Sequence, residues 1–269
     1  MDGAATGYET LLYEKTGQVA LVTLNRPERL NAMSAQLRDE MHRLIGQVRE
    51  DDEVRVLVIT GAGRGFCSGA DVGGGQGTGG PPSQNDRLDE LMWMGRWAKL
   101  FHDFDKPMVA AVNGVAAGGG LGMALACDVR IGTENSRFKT SFVDRAVSAD
   151  SGSSYFLPRI VGFAHAADLL LSSRIVLADE ALRMGLLNRI VPADKLMEEA
   201  MAYAEQIAQW PPLSLRACKR TLQYGADAGF EEAIRYERVG VEFAIRAVND
   251  LRESQAAFME KRKGVFTGT

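Results

Sequence analysis

Asn113-Gly114-Val115-Ala116-Ala117-Gly118-Gly119-Gly120-Leu121-Gly122 is the stretch that decides the fold. It follows an apolar run at 107–112 and leads into Met123-Ala124-Leu125-Ala126. That order reads as a strand, a glycine turn and the start of a buried helix. The first N–H groups of a helix have no partner within it and carry the positive end of its dipole. With three glycines there, no side chain shields them, so the place suits a developing negative charge. Close packing of helix on strand calls for glycine equally well. The stretch alone leaves both readings open.

Working outward, 19–24 and 54–60 read as strands, short, β-branched and closed by turn residues. Between them Leu37, Met41, Leu44, Ile45 and Val48 share one helix face, with Ser34 as the N-cap. Apolar runs at 107–112 and 127–131 flank the glycine turn. Strands alternating with helices predict an α/β fold of parallel units joined by right-handed crossovers. The glycine- and proline-rich segment 73–82 reads as a surface loop. Leu88, Leu91, Met92, Trp97, Leu100, Phe101 and Phe104 then predict a helix whose aromatics pack a core or line an apolar pocket. From Ala193 the pattern is helical throughout, over 193–209, 213–224, 230–248 and 251–263. Asp250 with Glu253 reads as a capping box opening the last of these. The chain therefore divides into a core at 1–192 and a helical region at 193–269. The latter is too short and open to form its own core, so it is expected to pack on neighbouring subunits.

Composition narrows the function classes. The 269 residues are 46% hydrophobic and 25% charged, with a formal net charge of −4. No global field attracts nucleic acid, and no basic stripe with interleaved aromatics exists. Cys67, Cys127 and Cys218 are odd in number and far apart, which fits neither a disulfide framework nor a zinc site. No run approaches the ~20 apolar residues of a membrane span. Met1 to Thr10 carries no export signal. A cytoplasmic protein with no nucleic-acid or membrane partner is expected.

A second glycine turn, Gly61-Ala62-Gly63-Arg64-Gly65-Phe66-Cys67-Ser68-Gly69-Ala70-Asp71-Val72, follows the 54–60 strand. It fails as a dinucleotide fingerprint, because Phe66 holds the third-glycine place, and it contains no phosphate-loop lysine. The two turns in this order, with Leu24-Asn25-Arg26-Pro27-Glu28-Arg29-Leu30-Asn31-Ala32 before them, resemble the enoyl-CoA hydratase/isomerase (crotonase) superfamily. Cys127-Asp128, Phe156-Leu157-Pro158-Arg159-Ile160-Val161-Gly162, 181–187 and Phe258-Met259-Glu260-Lys261-Arg262 extend the match along essentially the whole chain.

The resemblance implies a spiral of ββα units with parallel sheets and a C-terminal helical trimerisation region. It implies an acyl-CoA substrate, no permanently bound cofactor, and a homotrimer or dimer of trimers. Coenzyme A enters only as part of the thioester. The family's oxyanion hole, two backbone N–H groups, falls at Ser68 and Gly119. Coenzyme A would lie along Arg26, Arg29, Ala70, Asp71 and Val72, with the arginines suited to phosphates. Phe258 and Lys261 match positions that reach the nucleotide from a neighbouring subunit.

The chain departs from a hydratase of this family at two places. The two glutamates used there are replaced by Gly122 and Phe142, and neither can move a proton. Adding water needs both a base and an acid. One carboxylate stands at a suggestive place, Asp150, before Ser151-Gly152. This looks like ring 1,2-epoxyphenylacetyl-CoA isomerases and related enoyl-CoA isomerases, and aryl-CoA dehalogenases use an aspartate of this region as a nucleophile. Moving a double bond needs one base only. Asp150 is the expected base, and its plain alternative is a helix N-cap. Asp144 and Glu134 are the other carboxylates to test against the structure. His42, His102 and His165 lack catalytic spacing, and Cys67 reads as a buried small hydrophobe. The remaining readings are a hydratase or lyase with an unrecognised base, an aspartate-nucleophile hydrolase, and a non-catalytic acyl-CoA-binding protein.

Overall fold

Each long central strand is followed, across a short turn, by a three-residue strand that joins a second sheet. The computed structural model describes residues 7–73 and 83–269, so nearly all of the 73–82 loop lies outside the described residues. Strands β1 (Leu11–Thr16) and β2 (Val19–Leu24) form an antiparallel hairpin, and α1 (Ala35–Glu50) follows. Strand β3 (Val56–Gly61) then gives way to β4 (Gly65–Cys67), and helices α2 (Gln84–Leu88) and α3 (Met92–His102) come next. The pattern repeats with β5 (Met108–Val112), β6 (Val115–Ala117) and α4 (Gly119–Ala126). It repeats again with β7 (Val129–Gly132), β8 (Arg137–Lys139) and α5 (Ser153–Ser172). The rest comprises β9 (Val176–Leu177), α6 (Ala178–Arg183), β10 (Arg189–Ile190), α7 (Leu196–Ala208), α8 (Pro212–Gly225), α9 (Phe230–Ala244) and α10 (Val248–Glu260).

The long strands form one sheet, ordered β1-β2-β3-β5-β7-β10 and parallel beyond the hairpin. The short ones form another, β4-β6-β8-β9. These are the expected ββα units. Strands β3 and β5 are buried along their whole length, which is why they read as unbroken apolar runs. The main core joins one face of the large sheet to α1, α3 and α4. All five residues expected on the inner face of α1 lie in it, and Ser34 Oγ accepts from Leu37 N at 3.1 Å as the N-cap.

The region from 193 begins with a helix packed within the chain, and two helix readings differ from those expected. Helix α7 places Leu196, Ala200, Ala204 and Ala208 on the other face of the large sheet, against Val19, Val56, Val58, Val109, Ala111 and Ile131. Its alanine stripe, at helical spacing, lets it lie close. The helix expected across 88–104 is two helices. Helix α10 opens at Val248, not 251, and no side chain caps it. Asp250 is buried instead and accepts from Thr267 N and Gly268 N at 2.7 and 2.9 Å. Glu253 accepts from Val265 N at 2.8 Å. These two carboxylates fasten the C-terminal tail rather than start a helix.

Candidate active site

The two glycine turns meet backbone to backbone. Gly118 has φ 52° and ψ −126°, a conformation that only glycine adopts readily, and α4 starts one residue later. A Cβ at Gly120 would fall 2.3 Å from the Cys67 carbonyl oxygen, and one at Gly69 (φ +93°) 2.8 Å from that of Ala117. Close packing therefore accounts for Gly69 and Gly120. It does not account for the N–H of buried Gly119, which donates to no acceptor among the described residues. A buried N–H left without a partner is destabilising, so this one is free to meet an acceptor.

In the facing turn the free donor is Ala70, not Ser68. Ser68 N donates to Leu30 O at 2.9 Å, and its hydroxyl donates to Arg29 O at 3.2 Å. That corrects the expectation that Ser68 supplies the second N–H. Met33 pairs in parallel with Ala70, so Met33 N donates to Gly69 O and Asp71 N to Met33 O. Successive N–H groups of an extended segment point to opposite sides. The Ala70 N–H thus faces away from Met33, and it has no acceptor among the described residues.

The places of the two missing glutamates are filled. A Cβ at Gly122 would lie 2.4 Å from Ser151 O and 2.9 Å from Ser151 Cβ, so the 150–152 turn occupies the room a side chain there would need. Phe142 is buried. Asp150 is half-buried. Its side chain forms no cap on α5, whose N-cap is Gly152, and only its carbonyl receives Ser153 N, at 2.9 Å. No cation pairs with it among the described residues. Burial pushes its carboxyl above the ordinary aspartate value, and the adjacent Ser151 hydroxyl opposes the rise in part. Ser151, with left-handed φ 51°, sets its Oγ 2.9 Å from where a Cβ of Gly119 would be. Trp97 Nε1 donates to Gly119 O at 3.4 Å from the other side. Ser151 went unnoticed as a site residue in the sequence, and Trp97 was named there only among aromatics that pack a core or line an apolar pocket. The only local signal was that Ser151 fills a glycine-bordered turn.

The other candidates separate clearly. Asp144 is bound to Lys139 at 2.5 Å and Ser173 at 2.8 Å, and Glu134 is exposed. Cys67 donates to Asn31 O at 3.2 Å, and burial pushes its thiol up to about 12. His42 and His165 are exposed, and His102 pairs with Asp103 at 3.1 Å. Arg26, Arg29, Ala70, Asp71 and Val72 gather at one turn. Arg26 donates to Ala32 O at 2.5 Å and to Asp71 at 2.8 Å, so it closes the loop. Exposed Arg29 has no ion pair among the described residues and is the free cation of the group. Val72 is exposed. Phe258 and Lys261, both exposed, stand at the end of α10 and share no hydrogen bond with that turn. Among the described residues no cluster of histidine, cysteine or carboxylate could hold a metal ion, and no helix is long and apolar enough to cross a membrane.

The sequence profile of the enoyl-CoA hydratase/isomerase family matches residues 14–269. A "probable enoyl-CoA hydratase" of Rhizobium meliloti is 37% identical over 261 residues, covering 96% of this chain and 98% of its own. The (E)-benzylidenesuccinyl-CoA hydratase of Thauera aromatica is 37% identical over 265 residues, 95% of this chain and 98% of its own. The crystal structure of an enoyl-CoA hydratase from Bacillus anthracis superposes with a TM-score of 0.88 at 29% identity, covering 97% of this chain and 100% of that one.

Proposed function

This chain belongs to the enoyl-CoA hydratase/isomerase family, and from that premise we propose that it moves a double bond within an enoyl-CoA thioester, with Asp150 carrying the proton. The thioester carbonyl accepts from the N–H groups of Ala70 and Gly119. Each such donor is typically worth roughly 3–4 kcal/mol in the transition state. The Asp150 carboxylate takes a proton from a carbon next to the conjugated system, and the negative charge moves onto the carbonyl oxygen. The same proton returns to a carbon further along. Arg29 meets the coenzyme A phosphates, and the chain works as a homotrimer or a dimer of trimers.

The observation that carries this reading is Asp150 itself. It is a half-buried carboxyl with no cation paired to it among the described residues, one residue from a side chain lying on Gly119, in a site whose other two acid–base positions hold glycine and phenylalanine. A base with a raised pKa suits proton abstraction near neutral pH.

A second reading, hydration, has the names of the relatives in its favour. Incubation with 2-enoyl- and 3-enoyl-CoA panels separates the two. Isomerisation that falls by about 10²–10⁴-fold in Asp150→Asn is the expected result. Water addition that survives the substitution would show that another group is the base.

A further inference from the structure

The turn that carries Asp150 holds two consecutive residues in the left-handed region, Ser151 at φ 51° and Gly152 at φ 79°. For a residue with a side chain that conformation is strained, and it persists only where the surroundings hold it. Backbone bonds join the turn to the start of α5. Ser153 N donates to Asp150 O at 2.9 Å, and Tyr155 N and Phe156 N donate to Gly152 O at 3.0 and 2.9 Å. The Phe156 ring stands on Gly152, where a Cβ would fall 2.5 Å from it. The first turn of α5 therefore helps to set the place of Asp150.

That first turn is gripped from far along the chain. Asp227, between the end of α8 and the start of α9, accepts from the Tyr155 hydroxyl and, at 2.6 Å, from the Arg159 guanidinium. Arg159 in turn stacks 3.8 Å from the Tyr155 ring centre and donates to Tyr155 O at 2.9 Å. Gln223 of α8 donates to His102 O at 3.2 Å, and the His102 ring stands edge-on to Tyr155. His102, Tyr224, Asp227 and Tyr236 line one cavity of about 400 Å³, so side-chain hydrogen bonds rather than close packing join the α8–α9 turn to the rest of the chain there. Arg159 and Asp227 are 42% and 45% exposed, and an ion pair so exposed adds little stability. What it supplies is position.

We propose that Asp227 is a positioning residue for the reaction: by holding Tyr155 and Arg159 it fixes the first turn of α5, and through that turn the carboxyl of Asp150. A reacting group displaced by about 1 Å loses as much as about a hundredfold in rate. Loss of a half-exposed ion pair, by contrast, leaves the fold nearly as stable as before. The tie therefore acts on the proton-transfer step and not on the binding of the thioester, which the N–H groups of Ala70 and Gly119 meet. This rests on the reading of Asp150 as the proton carrier.

Two measurements on the full-length protein test it together. Steady-state isomerisation gives kcat and KM for Asp227→Ala, Asp227→Asn, Tyr155→Phe, and Asp227→Ala combined with Tyr155→Phe. Hydrogen–deuterium exchange reads the backbone over 150–160 in the same variants. In Asp227→Ala, kcat is expected to fall about tenfold while KM stays within about twofold. Its Tm should stay within about 2 °C of the parent's. Asp227→Asn still accepts from Tyr155 and should fall between. The double variant should lose no more than Asp227→Ala alone, because both changes break one network. Exchange over 150–160 should quicken in each variant while that of α1 keeps its rate. An unchanged kcat in Asp227→Ala overturns the inference, as do losses that add in the double variant, a rise in KM without a fall in kcat, a fall in activity that tracks a lowered Tm, or exchange over 150–160 that does not change. Isomerisation that persists in Asp150→Asn overturns the underlying reading instead, and the exchange data still report whether Asp227 holds the turn.

Discussion

Gly122 shows at the scale of one residue why this site differs from a two-carboxylate one. The Ser151 backbone stands 2.4 Å from where its Cβ would be, so a glutamate there has no room without moving the turn that carries Asp150. Gly122→Glu is expected to destabilise the fold by about 3 kcal/mol or more and to create no hydratase activity. A chemical denaturation curve and a hydration assay check both halves. Asp150 makes the complementary case. Its carboxyl is raised by burial, so the ionised form is disfavoured in the folded protein. The stability it contributes is fully present below the ordinary aspartate value of 3.8 and is lost as pH rises through its folded value. Asp150→Asn should therefore melt about 1–2 °C higher than the parent at pH 7, a small effect because the group is only half-buried, and alike below pH 4. A substitution that abolishes activity and raises the melting temperature is the signature of a residue kept for chemistry. Equal melting curves at pH 7 would remove that signature.

Elements were legible where packing follows a local period. The face of α1 and the unbroken strands β3 and β5 could be read directly, because burial on one stripe or on both faces leaves a pattern in the sequence. The donor pair was half legible. Gly119 stood out as a glycine at a helix start, whereas Ser68 and Ala70 differ only in where their N–H points, and Met33 and Leu30, some forty residues earlier, decide that. The capping box at Asp250 misled because its carboxylates answer to a distant tail. Long-range polar ties also hold the α8–α9 pair to the core. Lys219 donates to Asp128 at 2.8 Å, while Arg216, at 2.9 Å, and Arg220 both bind Asp105. Burial alone would raise the Asp105 carboxyl, but the two guanidinium groups together outweigh it and hold it below its ordinary value. Its stability is thus present above pH 3.8 and is lost as pH falls through the lower folded value. Asp105→Asn should cost about 2 kcal/mol at pH 7, less than a fully buried pair because Arg220 is 43% exposed, and much less in acid. Urea unfolding at pH 7 and pH 3 reads the difference.

At the scale of the whole molecule, the last three helices present more apolar surface than a lone chain keeps in water. Leu222, Phe230, Val241, Phe258 and Met259 are all at least 60% exposed, and the first of the C-terminal helices, α7, is the one that finds cover within the chain. The sequence betrayed this contrast only as a helical tail without a core, because a stripe that faces a neighbour reads like one that faces its own sheet. Scattered apolar residues on a surface need no partner, but a run of them along three successive helices does. A symmetric assembly is the ordinary way to cover such a run, and each contact would have to bury on the order of 1,200 Å² or more. Light scattering should therefore give three or six times the 29.2 kDa chain mass. Phe230→Asp combined with Val241→Asp introduces charge into that surface and should yield monomer, with far-ultraviolet circular dichroism unchanged because neither side chain belongs to either core. A parent protein that runs as a monomer at micromolar concentration would refute the assembly, and the apolar stripe of α8 to α10 would then need a different occupant.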